Sequence, residues 1–160
     1  MNVVTTRVII ALAVLLVLGA VNYSIYGKER TIATGEEIFL ELAPVDPRSL
    51  MQGDYMALRF RLAQQIDAAR REGTLADRAR LASLHLDERR IGTLETRRDA
   101  DLAIRFKIRN NEVWLGTNAY FFEEGTAQRF DQAKYGEFRI DARSGEAVLV
   151  GLRDEHLQKL

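Results

Sequence analysis

The turn that contains Gly53, Asp54 and Tyr55 has residue types that suit a recognition surface. Glycine permits positive φ, and an aspartate side chain can accept hydrogen bonds from backbone amides two residues further on. Asp46 and Arg48 lie just upstream, in a loop that also holds both prolines of the chain. Two interpretations stay open, a recognition surface formed by these side chains and a well-defined loop-to-strand junction without a ligand.

Two pairs of carboxylates offer the oxygen ligands that a hard cation prefers, Asp46 with Asp54 and Glu123 with Glu124. Neither pair has the ligand spacing of a calcium loop, and adjacent glutamates in a strand would point to opposite faces. We therefore expect solvated acidic turns, with cation binding as the alternative. The 160 residues include no cysteine and two histidines, which excludes thiolate-bound zinc and a three-histidine site within one chain.

The remaining candidates also have a structural interpretation. His85 lies between two leucines, a pattern typical of a half-buried sheet residue. Trp114 and the aromatic run 120–122 are expected to pack in the core, with an exposed aromatic binding surface as the alternative. Arg105, Lys107 and Arg109 form a basic row that is either a solvated strand face or a contact with anionic lipid.

No catalytic motif appears along the chain. A phosphate-binding glycine loop, a dinucleotide fingerprint, a nucleophile elbow and an HExxH sequence are all missing. Acidic and basic residues balance at 23 each, so the net charge gives no general attraction to nucleic acid. We assign no catalytic residue, metal ligand or cofactor, and we favour a non-enzymatic role.

An uncharged run of 20 residues separates Arg7 from Lys28. As a helix it spans roughly 30 Å, which is the thickness of the bilayer core. Tyr23 and Tyr26 fall where an interfacial aromatic belt would lie. Cleavage as a signal peptide is disfavoured because Leu18 is too bulky for the −3 position of the best site. We predict a retained anchor over residues 1–30, and the similar charges on its two sides leave its orientation open.

Beyond the anchor, residues 31–160 predict a mostly β (α+β) domain. Alternation over 36–42 and 102–109 indicates strands with one apolar face, and a helical period over 63–71 ends at Gly73. A short helix over 126–133 would be capped by Thr126. Further strands are predicted over 55–62, 80–87, 112–115, 137–141 and 147–151. Asn110 and Asn111, which tolerate left-handed geometry, are predicted to form the turn before 112–115. After a polar connection at 31–35, these elements predict one compact, largely antiparallel sheet or partial barrel with two short helices.

Residues 53–60 read Gly-Asp-Tyr-Met-Ala-Leu-Arg-Phe and resemble the signature of the GDYXXLXY family, bacterial membrane-associated proteins of uncharacterised function. Gly53, Asp54, Tyr55 and Leu58 match, whereas Phe60 keeps the ring of the signature tyrosine and loses its hydroxyl. The resemblance extends to the run 42–48 and to 120–125, which includes both glutamates named above.

This resemblance implies a single-pass protein of the inner (cytoplasmic) membrane with an extracytoplasmic, periplasmic domain. It also implies association with a multi-pass membrane protein, and it implies no catalytic mechanism. Our main interpretation is a membrane-anchored envelope module that contacts another membrane protein. A domain that senses a small ligand or cation remains an alternative.

A second alternative is an envelope hydrolase. Bacterial signal peptidases combine an anchor, a β-rich domain and a Leu-x-x-Gly-Asp turn, which the run from Leu50 to Asp54 resembles. The position of their nucleophilic serine, five residues before that leucine, is Val45 here, and valine cannot attack a carbonyl. A Ser–Lys dyad would therefore need Ser49 and Lys107.

Overall fold

The computed structural model describes residues 3–43, 51–52, 55–76, 78–96 and 100–160. These residues contain two α-helices, α1 (Val3–Thr34) and α2 (Arg61–Arg71), and a 3-10 helix at Ala127–Phe130. The strands are β1 (Glu36–Glu41), β2 (Met51–Gln52), β3 (Tyr55–Ala57), β4 (Leu81–Leu86), β5 (Gly92–Leu94), β6 (Leu102–Arg105), β7 (Lys107–Arg109), β8 (Glu112–Trp114), β9 (Ala119–Phe121), β10 (Tyr135–Ile140) and β11 (Ala147–Arg153). They form four small sheets in which every strand pair is antiparallel, as the sequence predicts.

Helix α1 is one uninterrupted helix of 32 residues, long and apolar enough to cross a membrane. Its apolar side chains are exposed on all sides, which suits a helix that faces lipid. The predicted polar connection at 31–35 is wrong, because the helix continues through Thr34. The hydroxyls of Thr31 and Thr34 donate to carbonyls four residues earlier, so these polar side chains are satisfied within the helix.

Gly35 joins α1 directly to β1. Its N–H donates to the carbonyl of Thr31 at 2.9 Å. A Cβ on Gly35 would collide with that same carbonyl oxygen and would lie 3.0 Å from the carbonyl oxygen of Ile140. Helix α1 therefore enters the domain through a close approach that only glycine permits, without a flexible linker.

The sheet that receives α1 has the order β1-β10-β11. Glu36 pairs with Ile140, and Ile140 pairs with Ala147 on the other side. Helix α1 packs against β10 and β11. Thr31 faces this contact and is almost completely buried. The central strand of the sheet thus lies directly beside the membrane-proximal end of the helix.

One hydrophobic core unites this sheet, α2 and the sheet β5-β4-β6. Leu62, Ile66 and Ala69 form the buried face of α2. Each large apolar side chain buried in this way contributes about 1.5–3 kcal/mol to folding. The largest fully buried side chains among the described residues are Phe106, Phe138, Ile38, Leu40, Leu62, Ile66, Leu84, Ile104, Leu115, Ile140 and Leu152.

Two predicted strands are shorter than the alternation of their residues indicates. The strand over 55–62 ends at Ala57, because α2 already begins at Arg61, and Phe60 forms only an isolated bridge to Leu42. The strand over 102–109 is divided at Phe106, whose N–H donates to the carbonyl of Arg80. The first part then pairs with β4 and the second with β8.

The turns follow the sequence prediction more closely. Asn110 and Asn111 have φ of 50° and 62°, the left-handed geometry expected of the β7–β8 hairpin. Gly73 has φ of 75° just after α2, as a helix stop requires. Thr126 is the N-cap residue of the short helix, as predicted, but the helix is a 3-10 helix and the Thr126 hydroxyl donates to the carbonyl of Glu123 instead of capping it.

Candidate functional site

The recognition candidates Asp46, Arg48, Gly53 and Asp54 lie outside the described residues, as does Ser49. Tyr55 and the rest of the signature segment are described. The site is therefore built from β3 and from β9, which pairs with it.

The signature residues divide between the core and the surface. Leu58 and Phe60 are each only 3% exposed and belong to the hydrophobic core. Phe60 meets the ring of Phe138 edge-on, with ring centroids 5.2 Å apart. Leu58 is fixed further by its N–H, which donates to the carbonyl of Asn118 at 2.7 Å. These two positions hold the segment in place and are not available to a partner.

Tyr55 faces the other way, towards an exposed aromatic residue. It pairs with Phe121 across β3 and β9, and the two ring centroids are 5.8 Å apart. Tyr55 is half-buried, whereas Phe121 is 75% exposed. We call Tyr55 and Phe121 the aromatic pair. It presents an apolar ring at Tyr55, the first described residue of the signature segment.

The run 120–122 is predicted to pack in the core, and this prediction is wrong for Phe121. Tyr120 and Phe122 pack on Phe130, with ring centroids 5.3 Å and 5.2 Å away. Phe121 points outward because neighbouring residues in an extended strand alternate between faces. The exposed ring is thus a consequence of the register of β9.

Glu123 and Glu124 are exposed and follow β9 in a turn. The carbonyl of Glu123 accepts hydrogen bonds from the N–H and the hydroxyl of Thr126. Within the described part of the chain, no group of three or more His, Asp or Glu side chains could hold a metal ion. The two glutamates add negative charge beside the aromatic pair.

His85 is exposed and not half-buried as predicted, because it falls on the outer face of β4. Its Nδ1 lies 3.1 Å from Oδ2 of Asp101. Lys107 is also exposed and lies opposite Trp114 in the β7–β8 hairpin. Both side chains are exposed to solvent, whereas catalytic groups are usually activated by burial and close neighbours.

A groove of about 390 Å³ runs beside the signature segment. Its lining includes Leu58, Phe60 and Trp114 together with the polar side chains of Gln64 and Asn118. Its volume falls within the range of roughly 300–1,000 Å³ that is usual for small-molecule sites.

The contact between α1 and the β10–β11 hairpin carries polar groups that sequence reasoning did not identify. Lys28 forms an ion pair with Glu146. Asp141 accepts hydrogen bonds from Ser144 and Arg143 and lies near Arg30, and together these groups lower the pKa of its carboxyl. Lys28 and Glu146, like Arg30 and Asp141, lie more than a hundred positions apart, so no local signal could have found these two pairings.

Comparison with known proteins gives one family. The family model described as GDYXXLXY protein matches residues 17–152, which is most of the chain and includes both the signature and the end of α1. No curated protein and no solved structure matches the chain.

Proposed function

Since this chain belongs to the GDYXXLXY family, we propose that it is a membrane-anchored envelope module whose β-rich domain contacts another membrane protein. The proposed location is the inner membrane, with α1 as a single span and residues 31–160 on the periplasmic side.

The continuity of α1 with the domain is the observation that carries this proposal. The helix continues through Thr34 beyond Gly27, the last residue of the uncharged run, and these seven residues add about 10 Å of helix. Lys28 and Thr31 already contact the domain within this stretch. A domain held so close to the bilayer is best placed to contact other components of the same membrane.

The aromatic pair is the proposed contact surface. Exposed aromatic rings that are rimmed by polar residues are typical centres of protein interfaces, because they bury much apolar area at a low entropy cost. The ring of Phe121 has this character, and Glu123 and Glu124 follow it in the chain.

The test is site-specific crosslinking in native membranes. A photo-reactive phenylalanine analogue is incorporated at position Phe121 of the full-length chain, and the adducts are identified by mass spectrometry. The same analogue at position Arg129, which is exposed on the 3-10 helix, serves as the matched control. We expect a membrane-protein adduct from the first position alone. Adducts that are the same from both positions, or none from the first, would refute the proposed surface.

A second candidate function, small-ligand sensing, is favoured by the groove beside Leu58 and Phe60. Binding to the native state alone would raise the melting temperature of the protein. We expect a ligand found in a thermal-shift screen to lose its effect when Gln64→Leu removes a polar group from the groove. A hit that stabilises both proteins equally would bind elsewhere.

A further inference from the structure

A basic cavity lies where the membrane helix meets the domain. Its volume is about 120 Å³, and four cationic side chains line it, those of Lys28, Arg105, Lys107 and Arg109. Glu146 is its one carboxylate, and it is paired with Lys28. This cavity is separate from the aromatic pair and shares only Trp114 with the groove beside the signature segment.

Local structure fixes the arginines in this cavity. The Nε and Nη2 atoms of Arg105 donate to the carbonyl of Ser144 at 3.1 Å and 2.9 Å. The guanidinium carbon of Arg109 lies 5.1 Å from the ring centroid of Trp114, a cation–π arrangement. Lys107 lies opposite Trp114 in the hairpin, so its ammonium extends from the same face. The basic row of the sequence analysis therefore lines the same cavity as the indole ring of Trp114.

The positive charge of the cavity exceeds its negative charge. Arg105, Lys107 and Arg109 form no ion pair with any carboxylate that the structure describes, and Glu146 can neutralise only one of the four cations. Arginine donates paired hydrogen bonds to phosphate oxygens, and lysine adds a mobile point charge. Such a set suits a phosphate group.

The position of the cavity identifies the source of that phosphate. Lys28 is the first charged residue after the uncharged run of α1, so it lies at the level of the lipid headgroups. Because Lys28 lines the cavity, the cavity opens at that level too. Its volume is below the roughly 300 Å³ of a typical small-molecule pocket, as expected of a site that holds one group of a larger molecule. We propose that the cavity binds the phosphate of an anionic lipid in the surrounding leaflet.

Trp114 is the only tryptophan of the chain, so intrinsic fluorescence reports directly on this cavity. The experiment uses the full-length protein in phosphatidylcholine nanodiscs to which phosphatidylglycerol is added stepwise, up to about half of the lipid. We expect a saturable change in Trp114 emission. Since each basic residue near a membrane surface contributes about a fivefold gain in affinity for anionic lipid, Lys107→Gln should need about five times more phosphatidylglycerol for the half-maximal change.

Two control variants separate a site from general surface charge. Lys107→Arg keeps the charge, and Arg129→Gln removes a cation that does not line the cavity, so both should titrate like the wild type. An equal loss in Lys107→Gln and Arg129→Gln would overturn the proposal. The proposal would also be overturned if the emission of the wild type stayed at its value in pure phosphatidylcholine throughout the titration.

A separate arm distinguishes the lipid from free phosphate. Inorganic phosphate is added to the protein in phosphatidylcholine nanodiscs, at the same phosphate concentration as the phosphatidylglycerol arm. We expect no saturable change, because only the lipid is presented at the level of Lys28. An equal response to inorganic phosphate would overturn the assignment to lipid. Neither result depends on the crosslinking outcome at Phe121.

Discussion

The ring of Phe60 stands edge-on to the ring of Phe138, with centroids 5.2 Å apart. This contact joins the last residue of the signature to the central strand of the sheet against which α1 packs. The signature therefore contributes to the fold at one end and presents the aromatic pair at the other.

Phe60→Ala should lower the free energy of unfolding by about 3–5 kcal/mol, because it leaves a cavity in the core. Denaturant unfolding of the full-length protein in detergent, followed by Trp114 emission, measures the change. Phe121→Ala is the matched control and should cost much less, because its ring is 75% exposed. Equal losses for the two variants would contradict the assignment of Phe60 to the core.

Gly136→Ala should be destabilising, and the effect should depend on Phe60. A Cβ at Gly136 would lie 2.8 Å from Cε1 of Phe60, so one of the two groups must move. Overpacking of this kind costs about 1–3 kcal/mol. In a Phe60→Leu background the substitution should cost less, and a double-mutant cycle with the same unfolding assay measures the coupling. Additive effects would mean that the close approach is relieved elsewhere.

Gly35→Ala should also destabilise the protein, by about 1–3 kcal/mol, because the new Cβ would meet the backbone of Ile140. Gly27→Ala is the matched control, since nothing lies within 4 Å of its Cβ position. Replacing this helical glycine should be neutral or stabilising by up to about 1 kcal/mol. Thermal unfolding of both variants measures the difference, and a stable Gly35→Ala protein would mean that the junction tolerates a shift.

Glu137→Ala should cost about 3–5 kcal/mol, because it leaves a partly buried arginine without its partner. The Glu137 carboxylate is almost completely buried and lies 2.6 Å from Nη2 of Arg153 and 3.8 Å from Nη2 of Arg139. Glu124→Ala, at an exposed position, should change stability by less than about 0.5 kcal/mol. Chemical denaturation of the two variants measures the contrast, which would vanish if the Glu137 pairs were solvated.

Asp141 should make stability depend on pH in the acid range. Hydrogen bonds from Ser144 and Arg143 and the nearby Arg30 lower the pKa of its carboxyl below 3.8 in the folded protein. A lowered pKa stabilises the fold above pH 3.8, and this contribution is lost as the pH falls through the folded value. Asp141→Asn should therefore lose less stability than the wild type across this window.

Melting temperatures measured across that acid range test this prediction. Thr126→Ala provides the control, because it removes a turn hydrogen bond and no titratable group. Its curve should run parallel to that of the wild type. If the curve of Asp141→Asn is parallel as well, the carboxyl of Asp141 does not contribute to the acid transition.

Local sequence patterns were sufficient for several elements. The uncharged run before Lys28 predicts the span, the two asparagines predict the β7–β8 turn, and α2 follows the helical spacing of Ile66 and Ala69. In each case the determining interactions lie within a few residues along the chain. The GDYXXLXY membership could also be predicted, because the signature is a short contiguous run.

Interactions between distant residues were not predictable in this way. The division of the 102–109 strand at Phe106 depends on a hydrogen bond to the carbonyl of Arg80, and the end of α1 depends on the backbone of Ile140. The basic row was identified as a charged face, but its approach to Lys28 arises only when the membrane helix docks on the sheet. The alternation of apolar and polar residues predicts which face of a strand is buried. It does not predict which other elements lie beside that strand.

Because Gly35 joins α1 to β1 without a flexible linker, the domain should rotate together with the helix. A residue inserted into a helix turns everything beyond it by about 100° and advances it by 1.5 Å. One alanine inserted within the uncharged run would thus rotate the aromatic pair to a different azimuth in the membrane plane, and about four would nearly restore it. A rotation of the helix about its own axis would move the surface residues of the domain in the same way.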